Sequence, residues 1–162
     1  MATQSPRPLS AVGLLARQNR VALIAETLGF VGDVEYRHVY SQTGGAQYGR
    51  GSTEDDDLLT VFAEAFERDA DPEDFSLEAM IAHERGHQIL AWHPRIGKLA
   101  DGIPLASEEI LASLLGSMFC SDEGDRQTLY GKAAFELVLR GQTSESADRQ
   151  LETLRQTLEA LL

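Results

Sequence analysis

The feature that most narrows what this chain can become is His83-Glu84-Arg85-Gly86-His87, an H-E-x-x-H pentapeptide inside a run from Ser76 to Trp92 that reads as helix. Residues four apart on a helix are offset by about 40° and about 6 Å of rise, so the two imidazoles project side by side. That pair can fill two corners of a tetrahedral zinc ion. Glu84 falls on the flank of the same position, where a carboxylate can take a proton from water. The motif fixes only three positions, so by itself it also fits a solvated helix face that carries two histidines. Its surroundings decide between the two.

Those surroundings favour a metal. Leu77, Met80, Ile81 and Leu90 set an apolar stripe beside the histidines, which places the helix in a core. Its start is signalled by Asp71-Pro72-Glu73-Asp74 and by Ser76 as a further N-cap. Gly86 costs about 1 kcal/mol relative to alanine in a helix interior. A compensating reason is that it lies on the histidine side, where another backbone or a substrate has to come close. Trp92-His93-Pro94 ends the run, because the residue before a proline is steered away from the helical region.

A catalytic zinc takes a third protein ligand and keeps one position open. The stretch from Ala106 to Phe119 predicts a second helix with Ser107 as N-cap and an apolar face of Leu111, Leu114, Leu115 and Met118. Ala112, Ser113 and Gly116 follow Glu109 at three, four and seven residues, and all are small. Small residues let two helices approach until a short carboxylate reaches a metal on the neighbour, so Glu109 is the expected third ligand. Glu108 is the alternative, one register step away, and two capping acids on a surface helix are the plainer reading. His93, six residues after His87, is a further alternative. It lies about 240° round from His87 if the helix runs through Leu90, which suits a local cap better than a ligand.

Ala82-His83-Glu84-Arg85-Gly86-His87, followed about twenty residues on by Glu108-Glu109-Ile110-Leu111-Ala112-Ser113, resembles the gluzincin side of the zincin metallopeptidases. The similarity is to compact single-domain members and to ImmA/IrrE-type peptidases, with A-H-E-x-G-H and then E-x-x-A-[ND]. It covers about a quarter of the chain. It implies His83, His87 and Glu109 as zinc ligands and Glu84 as general base. The chain departs from the pattern at Ser113, where the family carries Asp or Asn to support a ligand histidine. A serine accepts one hydrogen bond there but cannot offset charge, so weaker metal affinity is implied. No helix-turn-helix segment accompanies the motif.

A chain of 162 residues with 43% hydrophobic content can bury one core, and a single domain over residues 1–162 is expected. The net charge of −12 argues against nucleic acid or an anionic membrane as main partner. The run Glu54-Asp55-Asp56-Asp57 reads as a solvated loop, or as a patch steering basic peptides. Cys120 is the sole cysteine, which points away from a disulfide framework and toward a reducing cytoplasm. Leu9 to Ala16 is too short and weakly flanked for a signal peptide, and no segment is long enough to span a bilayer.

The remaining pattern predicts a small α+β, zincin-like domain: an N-terminal helix, a short antiparallel sheet, the H-E-x-x-H helix and a helical C-terminal part. Val12, Leu15, Leu23 and Leu28 place a helix over residues 9–28, with Gly29 closing it. Residues 33–40 alternate like a strand, and Gly44-Gly45 turns the chain into residues 46–50, which predicts a hairpin. Residues 58–66 fit both periods and are read as a strand, an edge that can bind a peptide by strand addition. His38 is read as structural. After a loop at residues 120–124, helices are expected over about 125–140 and 144–162. Ala147, Leu151, Leu154, Leu158 and Leu161 of the last helix face either the domain's own core or a homodimer seam.

The chemistry that follows is zinc-assisted hydrolysis of a peptide or protein segment, with Glu84 passing a proton from water to the leaving amine. Tyr130 and His93 are the candidates by position for stabilising the oxyanion. A non-catalytic zincin-like binding or regulatory module is the alternative, and hydrolysis of non-peptide amides or esters is a third reading.

Overall fold

The computed structural model describes residues 5–102 and 107–162. Along the chain come α1 (Ala11–Thr27), β1 (Asp33–Arg37), β2 (Ala46–Gly49), a 3-10 turn at Glu54–Asp56, β3 (Leu58–Phe62), α2 (Ala63–Asp69) and α3 (Leu77–Trp92). Then follow α4 (Pro94–Gly102), α5 (Glu108–Phe119), α6 (Glu123–Leu139) and α7 (Ser144–Leu161). The class is α+β, mostly helical, with one three-stranded mixed sheet among the described residues. Ala106, expected in the second helix, lies outside the described residues, as do residues 1–4.

The sheet overturns three expectations: first, β3, read as a peptide-binding edge, is its central strand with both edges paired. Its order is β1-β3-β2, with β1 parallel and β2 antiparallel to β3, so β1 and β2 form no hairpin and the sheet is not wholly antiparallel. Leu59, Val61 and Phe62 are buried, and the most apolar strand takes the central place where both of its edges are paired. Gly44 and Gly45, at φ +94° and +111°, do turn the chain, but toward the end of β3. There the Phe62 N–H donates to the Gly45 carbonyl, and a Cβ on Gly45 would stand 3.2 Å from Ala65. The strand read over residues 58–66 stops at Phe62, and α2 begins at Ala63.

Asp57, read as part of a solvated acid run, is fully buried. Its carboxylate accepts from the Tyr48 hydroxyl at 2.7 Å, the Gly51 N–H at 2.7 Å, the Gln88 amide at 2.9 Å and the Trp92 indole N–H at 2.7 Å. Burial pushes this carboxyl up, and the four donors outweigh it, holding it below the usual aspartate range. One carboxylate thus joins the start of β3 to β2 and to the C-terminal half of α3. Only Glu54–Asp56 forms the outward turn.

α1 is present with Ser10 as N-cap and Gly29 at φ +80° beyond its end, but its inner face differs from the expected one. Val21 and Ala25 are fully buried, while Val12, Leu15 and Leu23 are 60–78% exposed. Gln18 explains the phase. Its amide donates to the Val34 carbonyl and accepts the Tyr36 N–H, so it docks α1 along the free edge of β1. His38 is a structural residue here, hydrogen-bonded through Nδ1 to the Tyr36 hydroxyl.

α3 is capped by Ser76, which accepts the Ala79 N–H, and it buries Leu77, Met80, Ile81 and Leu90 as expected. Its N-terminal half packs in the core shared with the sheet and its C-terminal half in a second core with α5, α6 and α7. α3 and α5 cross at backbone contact. A Cβ on Gly86 would lie 2.1 Å from the Ala112 carbonyl oxygen, and one on Gly116 2.6 Å from the Ala82 carbonyl oxygen. The pairing is reciprocal: each helix offers a glycine to the other's backbone. After Trp92 the chain bends at His93, ψ 115°, and Pro94 opens α4, a helix that the sequence pattern does not announce. α6 begins at Glu123 behind an Asp122 N-cap, two residues earlier than expected. The α7 stripe of Ala147, Leu151, Leu154 and Leu158 is buried within the chain's own core. Among the described residues no helix is long and apolar enough to cross a membrane.

Two predictions test this frame. Gly86→Ala is expected to destabilise the fold by at least ~2 kcal/mol, because the helices must part to admit the methyl. Gly131→Ala on α6, where an added Cβ meets nothing within 4 Å, serves as control. It is expected to be neutral or to stabilise by up to ~1 kcal/mol in the same urea melts. Asp57→Ala strands four donors and is expected to destabilise by on the order of 3 kcal/mol. Because the folded-state pKa of Asp57 is depressed, its contribution is present above the unfolded value and disappears as pH falls through the folded one. Wild type and Asp57→Ala should therefore converge in stability in acid, measured by melts from neutral pH downward.

Candidate metal centre

The crossing of α3 and α5 puts three donors around one point. His83 Nε2 lies 3.1 Å from His87 Nε2 and 2.9 Å from Glu109 Oε2, and His87 Nε2 lies 3.1 Å from Glu109 Oε1. Ligands on a tetrahedral zinc at 2.0–2.1 Å stand about 3.3 Å apart; the two imidazole nitrogens are near that spacing, and the carboxylate turns one oxygen to each of them. His83, His87 and Glu109 are also the one His/Cys/Asp/Glu group with metal-binding spacing among the described residues.

The outer ring nitrogens are held as well. His83 Nδ1 is 2.9 Å from the buried Ser113 hydroxyl, and His87 Nδ1 is 3.1 Å from Glu108 Oε1. A neutral imidazole carries one proton. If His87 donates from Nδ1 to Glu108, its Nε2 turns a bare lone pair toward the Glu109 carboxylate. That contact is favourable only with a shared cation or an added proton. Burial favours neutral His83, lowering its pKa against the opposing pull of Glu109. Its hydrogen bond to His83 is the main reason the Glu109 carboxyl is held down, at about 2. A neutral imidazole beside an ionised carboxylate is the protonation state a divalent ion needs. The donor set fits zinc.

Glu84 lines the same cleft, and burial pushes its carboxyl up to about 7. The cleft, about 480 Å³, is walled by the loop at Thr43 and Gly44, by Gln47 and Tyr48 of β2, by Ala79 and Met80 of α3 and by Lys132 of α6.

Of the residues singled out in the sequence, His83, Glu84, His87 and Glu109 come together. Glu108 does not join the donors but braces His87 from outside. His93 turns away: its Nδ1 accepts the Ile96 N–H at 3.3 Å and caps α4, so it is placed neither as a ligand nor at the oxyanion position. Tyr130 lies elsewhere too, its hydroxyl donating to the Asp148 carbonyl on α7. Cys120 is buried, and burial pushes its thiol up to about 12, which leaves it inert. The acids at Glu54–Asp56 do not line the cleft. Lys132 was missed. It sits on a helix whose pattern reads as an ordinary amphipathic surface, and nothing in its sequence neighbourhood marks it.

No protein-family model, curated protein or solved structure significantly matches this chain. The site therefore stands on its own geometry. Replacing His87 or Glu109 by alanine is expected to abolish stoichiometric zinc binding. Ser113→Ala is expected to weaken it by about 10-fold, by freeing the His83 ring. Competition against a chromophoric chelator measures both.

Proposed function

We propose that the chain is a zinc-dependent peptidase with a zincin-like arrangement, in which His83, His87 and Glu109 hold the ion. The observation that carries this reading is the convergence of two Nε2 atoms and one carboxylate within 2.9–3.1 Å, with Glu84 lining the same cleft. Bound there, zinc supplies Lewis acidity, polarising a carbonyl and bringing the pKa of water toward neutrality. Glu84 takes the proton from the attacking water and returns it to the leaving amine. Its raised carboxyl pKa suits both halves of that shuttle near neutral pH. Ser113 and Glu108 fix the two imidazoles so that Nε2, not Nδ1, faces the cleft.

The substrate that suits the cleft is an extended peptide or protein segment. Among the described residues β2 is paired on one side only, with β3, and its Gln47 and Tyr48 line the cleft. Its free edge can pair with a peptide backbone and lay it across α3. A single cysteine, buried and unpaired, suits a reducing compartment, and we place the activity in the cytoplasm.

The test is Glu84→Gln. It is expected to retain zinc and to lower cleavage of a susceptible peptide by about 10²–10⁴-fold. Unchanged cleavage in that variant rejects the mechanism. A zinc-loaded parent that cleaves nothing across a broad peptide library favours the binding-module reading. Turnover of small amides or esters alone, lost in the same variant, identifies the third.

A further inference from the structure

Part of the cleft lining has a composition that the zinc chemistry does not use. It includes Phe75, just before α3, and Ala79 and Met80, about one helical turn before His83 on α3. Two cations stand at the Phe75 ring. Arg68 Cζ lies 5.3 Å from its centroid and Lys132 Nζ 5.6 Å. The two are not equivalent. Arg68 is committed, with Nε and Nη2 on Asp74 at 3.1 and 2.9 Å and Nη1 on the Gly44 carbonyl. Lys132 has no ion pair or hydrogen bond among the described residues; its one close partner is the ring face. Its charge reaches His83, Glu84 and Glu109 only through space.

A half-buried ammonium kept on an aromatic face, without a carboxylate of its own chain, is poised for an anion from outside. Two of the cleft's carboxylates have close partners of their own, Glu109 on His83 and His87 and Glu108 on His87, and Lys132 acts on Glu109 and Glu84 only through space. Apolar lining in the same cleft as the donor cluster, with a cation that has no ion pair or hydrogen bond among the described residues, matches a short aliphatic stem ending in a carboxylate.

We propose that Phe75, Met80 and Lys132 form a subsite for an acidic side chain, glutamate in size, of the peptide substrate. The proposal rests on the peptidase reading and adds to it the class of side chain selected. Lys132 acts as a specificity-determining residue: it binds the substrate and has no part in the proton transfer.

The experiment uses the full chain carrying Glu84→Gln and loaded with zinc, so that binding is read without turnover. Two capped pentapeptides, identical except for a central Glu or Gln in an alanine background, are titrated by calorimetry. The Glu peptide is expected to bind about 10-fold more tightly, the ratio one charge-assisted contact supports. Lys132→Met should bring the two within about twofold, and Lys132→Arg should restore most of the preference. Raising salt from about 50 to about 500 mM should shrink the ratio in the Lys132 protein and leave it unchanged in Lys132→Met. Equal affinity for both peptides, no binding of either, or a preference that survives Lys132→Met overturns the proposal. Failure of the peptidase reading looks different: the protein with Glu84 intact leaves both peptides whole while the binding preference remains.

Discussion

The site depends on how closely α3 and α5 approach. Two helices packed through ordinary side chains have axes 8–10 Å apart, and a carboxylate in the first turn of one would not span to imidazoles on the other. Here Gly86 faces the Ala112 carbonyl and Gly116 faces the Ala82 carbonyl, at distances that exclude any Cβ. Ala112 and Ser113 continue the small surface toward Glu109. Backbone contact at the crossing is thus what converts two plain helices into a three-donor cluster. The entropic and propensity cost of glycine in two helix interiors is offset by that contact.

A helix must also be held in rotational phase, since a modest roll would carry both imidazoles off a common point. Asp57 contributes to that. It grips Gln88 and Trp92, one and five residues beyond His87, while its backbone and Tyr48 belong to the sheet. The two histidines and the partners of this buried carboxylate sit on one helix, so the sheet acts as a reference surface for the aim of the histidines. The mixed sheet is small, but it presents both the Asp57 anchor and the free edge of β2 to α3.

What could be read from the sequence was local. The H-E-x-x-H helix, its Ser76 cap, the Ser107-capped partner helix and the choice of Glu109 all follow from spacing within one or two turns. The close backbone at Gly86 was legible because glycine weakens a helix interior unless a near neighbour requires it. What was missed is non-local. β1 and β2 read as a hairpin because a Gly-Gly turn lies between them, yet β3 pairs with both, and the buried Asp57 just before it takes its partners from three segments. The inner face of α1 was set by Gln18 bonding the β1 backbone, against the apolar pattern of Val12, Leu15 and Leu23. Lys132 carries no signal at all in the sequence, since its significance comes from which helix happens to stand beside Phe75.

On the proposed zinc reading, the bracing of both outer ring nitrogens bears on how an ion would enter and leave. With Ser113 and Glu108 gripping Nδ1 and the backbone crossing carrying the helices, the three donor groups are arranged by the protein alone. Small metal-stapled modules that collapse on chelation assemble their ligands only as the ion arrives. On the reading proposed above, capture would add ligation energy to a scaffold whose two apolar cores already exist, so loading and stripping would be exchange reactions at a standing socket, with occupancy following the free ion concentration while the fold persists.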